Sequence, residues 1–182
     1  MNAARIEAAL LWFLYVSPLS EVTSCTNKDA DCDSAWAYYT GGTPRTEPVG
    51  LARYVRELAP ATHERAYDAT LAVRCWRDLD RATPANDLEL RDRARAQLDH
   101  AMQRGMAIIV RQRFQELTCT SGEAKAARWA FLKVLVPLLE REARARNPAE
   151  ADVLKAQVEK LDPEAVDASA AITALDRLFP CP

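Results

Sequence analysis

Ser121–Glu150, SGEAKAARWAFLKVLVPLLEREARARNPAE, is the stretch from which the fold class can be read. Through AARWAFLKVLVPLLERE the apolar residues recur at three- and four-residue spacing, the period of a helix face and not of a strand. Ser121 is placed to cap the start. Pro137 predicts a kink, because proline brings no N–H to the helix and crowds the preceding turn. The stretch closes on Asn147-Pro148-Ala149-Glu150, which supplies an N-cap, a proline at the first helical position and a capping-box carboxylate for the next helix.

The same signals extend outward. Asp162-Pro163-Glu164 repeats most of that start device, and the longest helix is expected from about Asp87 to Leu117. Thr62 opens a helix to about Asp80, and DSAWAYY forms a short one that stops at Gly41-Gly42. A first helix runs from about Asn2 to Thr23, with a kink at Pro18. Period-2 alternation is sustained nowhere, so no sheet is expected. The expected fold is all-α, an up-down bundle of about six to eight helices in a single domain over residues 1–182. A hydrophobic fraction of 49% with only 5 Gly suits such a helical globule. The Gly- and Pro-rich segment TGGTPRTEPVG, ending at Gly50, reads as an ordered surface connection, with a lid as the alternative.

Charge and cysteine narrow the function. A net charge of −2 with scattered basic residues lacks the concentrated positive field that a nucleic-acid surface needs. The 5 cysteines form no CxxC pair, so disulfides are favoured over zinc, with thiols in a reducing compartment as the alternative. Cys25 and Cys32 bracket the polar segment CTNKDADC and can meet across a short loop; Cys119 and Cys181 fall at predicted helix ends. Cys75, inside TLAVRCW, is the odd one left over. AALLWFLYV before VTSC at Cys25 has the outline of a lipoprotein signal, but Glu7 and Glu21 place charge where an export signal wants none. The apolar run is too short to span a bilayer. The chain is therefore read as a periplasmic or extracellular protein whose export signal is not within this sequence.

Comparing the chain with itself aligns LSEVT (Leu19–Thr23) with FQELT (Phe114–Thr118), and Trp36-Ala37-Tyr38 with Trp129-Ala130-Phe131. Two duplicated halves, 1–90 and 91–182, would explain this; chance likeness between helical segments is the alternative. On helical spacing Leu10, Leu14, Ser17 and Glu21 share a face, as do Gly105, Ile109, Gln112 and Glu116. Each stripe ends in a carboxylate. If the halves pack symmetrically, Glu21 and Glu116 approach each other, and a buried carboxylate pair must share a proton, meet arginines or hold a cation. Arg74, Arg111 or Arg113 are the candidate partners for neutralisation. For a hard cation such as ferric iron, Tyr15, Tyr39 or Tyr67 and His63 are candidate further ligands.

Catalytic signatures are missing from the sequence: it contains no GxSxG, no Gly-rich phosphate loop and no cysteine beside a plausible base. With His63 and His100 as its only histidines and no ExxH, it does not fit a ferritin-like di-iron site. The chain is not expected to be an enzyme. Trp12, Trp36, Trp76 and Trp129 sit among apolar neighbours and are read as core.

AWAYYTGG (Ala35–Gly42), ARWAFLKVLVPLL (Ala127–Leu139) and the terminal ITALDRLFPCP together resemble the low-iron-inducible periplasmic proteins, the algal Fe-assimilating, phytotransferrin-like family. The resemblance rests on Trp36, Tyr38, Tyr39, Gly41, Trp129, Phe131, Pro180 and Cys181. It implies a secreted, disulfide-containing helical protein concerned with iron binding or assimilation. Two functions are therefore expected to compete. One is an extracytoplasmic iron-binding protein using Glu21, Glu116, Tyr15, Tyr39 and His63. The other is a non-catalytic helical protein-interaction module, its partner unspecified, in which arginines neutralise the glutamates.

Overall fold

Local end signals set most of the helix boundaries in a computed structural model that describes residues 1–180. Cys181, one of the expected disulfide partners, lies outside the described residues. The described chain is all-α, with no strand. Its helices are α1 (Asn2–Ser24), α2 (Ala30–Thr40), α3 (Gly50–Leu58), α4 (Pro60–Leu79), α5 (Leu88–Thr118), α6 (Gly122–Leu135), α7 (Glu140–Arg146), α8 (Pro148–Val158) and α9 (Ala168–Leu178). Short 3-10 turns occupy Val136–Leu139 and Pro163–Ala165.

Side-chain caps explain several of these limits. Asn147 Oδ1 accepts the N–H groups of Ala149 and Glu150 at 3.1 and 3.3 Å, opening α8 as its sequence predicts. Pro137 does more than kink its helix: α6 stops at Leu135, and the chain tightens to 3-10 before α7 begins. Asp162-Pro163-Glu164 opens only a 3-10 turn, and α9 starts later under Asp167, which accepts from the Ala170 N–H at 2.9 Å. α3 was not expected. It is a nine-residue helix between Gly50 and Pro60 that buries Leu51, Ala52 and Val55. This helix and the division at Pro137 raise the count to nine α-helices among the described residues.

The chain divides into two compact units. One comprises Phe13–Gly105, where α2, α3 and α4 pack on one another around Tyr39, His63 and Trp76. Gly105 of α5 matters here, because a Cβ at that position would stand 2.7 Å from Val55 Cγ2 on α3. The other unit comprises Met1–Trp12 with the chain from Met106 onward, where α8 packs on α7 and α9 and the core includes Phe114, Phe131, Leu132 and Leu135. LSEVT and FQELT each fall near the end of a long helix, α1 and α5, and each is followed by a Trp-bearing helix, α2 and α6.

The two carboxylate-ending stripes differ. Leu10 is 56% exposed, and the buried positions of α1 include Ala8, Leu11, Tyr15, Leu19 and Val22. The face through Leu10 is therefore not the core face assumed from spacing, since α1 is apolar nearly all round. Ile109, in contrast, is 1% exposed, so the α5 stripe does lead inward.

Candidate functional site

Tyr39 and His63 meet inside the Phe13–Gly105 unit. Pro60, at the first position of α4, starts that helix two residues before the expected Thr62, and α4 then carries His63 inward, to 0% exposure. The Tyr39 hydroxyl is 3.2 Å from His63 Nδ1, and His63 Nε2 is 3.0 Å from the Arg45 carbonyl oxygen. A carbonyl only accepts, so Nε2 carries a proton, and in the neutral ring Nδ1 accepts from the phenol. Burial, with the negative charge of Glu64 behind it, pushes the Tyr39 phenol far above its ordinary range. Its phenolate, the form that binds ferric iron, is thereby disfavoured.

Arg45, in the Gly- and Pro-rich segment, ties that segment down. Its guanidinium reaches Glu64 and Asp68 at 2.5 Å each, residues one turn apart on α4, and lies 4.4 Å from the Tyr67 ring centre. The segment is a clamped connection. Arg45 was missed from sequence; the available signal was the i,i+4 carboxylate pair of Glu64 and Asp68 on α4.

Glu116 belongs to the other unit. Its side chain is 25% exposed and lies 2.9 Å from both Arg113 Nη1 and Arg128 Nε. Arg113 also reaches Glu7 at 2.7 Å and stacks over Phe131. Burial works to raise the Glu116 carboxyl, but the Arg113 and Arg128 guanidiniums outweigh it and hold the group below the usual glutamate range. Of the arginines expected as partners, Arg113 fills that role; Arg111 pairs with Asp176 and Arg74 with Asp33. Arg128 was not anticipated.

The remaining candidates are placed separately. Tyr15 donates to Asp99 Oδ1 at 2.5 Å and accepts from Gln103 Nε2 at 3.1 Å. Glu21 is half-buried on α1. Tyr39 and His63 thus touch, whereas Glu116 sits among arginines in its own unit. Among the described residues, no three His, Cys, Asp or Glu side chains are grouped to hold a metal ion. Cys25 and Cys32 form the expected disulfide, while Cys119 and Cys75 are exposed.

Each unit also carries a concavity. An apolar groove of about 230 Å³ lies between Val136, Pro137 and Ala143 on one side and Ala151, Leu154 and Val158 of α8 on the other. A larger, polar cleft of about 410 Å³ lies beside α2 and the end of α4 in the other unit. Compared with known protein families, curated proteins and solved structures, the chain matches none.

Proposed function

We propose that this chain is a non-catalytic helical interaction module of an oxidising, extracytoplasmic compartment. The observation that carries the reading is the double arginine cover on Glu116. A carboxylate already neutralised by two guanidiniums must lose them before it can serve a cation, and the energetic cost of that exchange opposes metal binding. The Cys25–Cys32 disulfide supports the compartment, since such bonds persist where thiols are not kept reduced. No described helix is long and apolar enough to cross a membrane.

The surface we assign to a protein partner is the groove along α8. At about 230 Å³ it falls below the usual size of small-molecule pockets and suits one or two large apolar side chains. Each wall bears one lysine and one glutamate, Lys133 with Glu140 and Lys155 with Glu159, so the rim offers no net charge. Its occupant is therefore an amphipathic helix with apolar anchors flanked by mixed charge, and not a strongly acidic or basic tail.

Iron binding, the function implied by the family resemblance, is the competing proposal, and one experiment separates the two. Elemental analysis after reloading with ferric, ferrous, calcium and zinc ions is expected to find no stoichiometric metal. Stoichiometric metal that is lost in both Glu21→Ala and Glu116→Ala would reinstate the iron reading. The groove is tested by selection from a displayed library of random helical peptides, with Leu154→Glu as the comparison. Peptides with paired apolar anchors that fail on the variant support it, and a selection blind to Leu154→Glu overturns it.

A further inference from the structure

The polar cleft of the Phe13–Gly105 unit is lined by Asp29, Asp33, Asp78, Arg74, Arg77 and Arg81, with Cys32 of the disulfide and Thr83 beside them. Half of these charges are accounted for. Arg74 pairs with Asp33 at 2.7 Å, and Asp29 caps α2 by accepting the Ala30 N–H at 3.0 Å. That leaves Arg77, Arg81 and Asp78. Arg77 is 6% exposed, and although one of its terminal nitrogens donates to the Asp80 carbonyl, its Nε is buried with no hydrogen-bond partner among the described residues. Among the described residues Arg81 donates only to the Asp78 backbone carbonyl, at 3.2 Å, and its guanidinium has no carboxylate partner.

A buried guanidinium with an unspent N–H is costly to keep without an acceptor, and it favours a planar, two-oxygen acceptor such as a carboxylate. The cleft, unlike the groove, falls within the size range of small-molecule sites. Its lining of three guanidiniums and three carboxylates is formally neutral, which is a poor match for a dianion. We propose that this cleft binds a small zwitterion of the free amino acid class, with its carboxylate on Arg77 and Arg81 and its ammonium facing Asp78. This goes beyond the interaction-module reading and involves a different unit, so either can fail without the other. Asp78 supplies discrimination, because it repels a second negative charge on the ligand and rewards a positive one.

The test is calorimetric titration of the full chain with free amino acids, their N-acetyl and methyl-ester derivatives, and inorganic phosphate. At least one free amino acid is expected to bind at a single site, and both derivatives to bind about tenfold or more weakly. Arg81→Ala and Asp78→Asn, both at exposed positions, are each expected to weaken binding by a similar factor with thermal unfolding unchanged. The proposal is overturned if no free amino acid binds the folded chain more tightly than about 1 mM. It is also overturned if phosphate binds and amino acids do not, or if binding ignores both substitutions.

Discussion

Tyr39 and His63 hold each other in place: the hydroxyl of one is 3.2 Å from Nδ1 of the other, and both side chains are fully buried. The pair joins α2 to α4, and through the Arg45 carbonyl it also anchors the segment between α2 and α3. Two residues that a sequence reader nominates as metal ligands thus serve as a structural joint.

Replacing Tyr39 with Phe removes one partner and leaves a buried ring nitrogen unsatisfied, at a cost of roughly 1–3 kcal/mol. The pH dependence has a definite sign. Because the folded phenol sits above its ordinary value of 10.0, its contribution is complete below that value and is lost as pH rises beyond it. Thermal unfolding of the wild type should therefore decline more steeply above about pH 10 than that of Tyr39→Phe. Parallel alkaline curves would show that Tyr39 ionises as freely in the folded chain as in the unfolded one.

The disulfide closes a short loop, with a sequence separation of 7 between Cys25 and Cys32. Loop-closure entropy of that length corresponds to about 2 kcal/mol of stabilisation. The Cys25→Ser/Cys32→Ser double variant should lose about that much in urea titration, and reductant should shift the wild-type midpoint toward the variant's. A wild type indifferent to strong reductant, with a midpoint equal to the variant's, would mean that the bond is not formed in solution.

What could be read in advance divides along a physical line. Asn147, Pro148 and Glu150 announce a helix start because capping is chemistry between near neighbours, and Cys25 and Cys32 are close enough in sequence to be matched. α3 escaped notice because nine residues between Gly50 and Pro60 leave room for little more than two turns of pattern. The inward face of α1 was misassigned because Ile6, Leu10, Phe13 and Val16 are apolar yet exposed, so periodicity did not distinguish the two sides. Site residues suffered most. Arg113 meets Glu7 across 106 positions, and the burial of Arg77 depends wholly on tertiary packing.

The arginine cover on Glu116 predicts acid sensitivity. Since the folded carboxyl lies below its ordinary value of 4.5, its contribution is present above that pH and is lost as pH falls through the depressed value. Glu116→Gln should be less stable than wild type near neutrality, and its melting temperature should fall less steeply between about pH 5 and pH 3. The measurement is a set of thermal melts across that range for both proteins. Superimposable slopes would show that Arg113 and Arg128 contribute nothing net through this carboxylate.

Gly41 offers a test that separates backbone from packing. It ends α2 with φ 74°, and its N–H donates to the Ala37 carbonyl at 2.7 Å. A Cβ there would fall 1.9 Å from Val49 Cγ2, on a residue whose own N–H donates to the Thr40 carbonyl. Gly41→Ala therefore meets two penalties: a left-handed conformation worth roughly 1–2 kcal/mol, and an overlap worth roughly 1–3 kcal/mol. Val49→Ala alone should change little, because Val49 is already 45% exposed. Combined with Gly41→Ala it should recover the overlap and leave the conformational cost. A double variant as unstable as Gly41→Ala would mean that Val49 already yields to the new methyl, placing the whole penalty in the backbone.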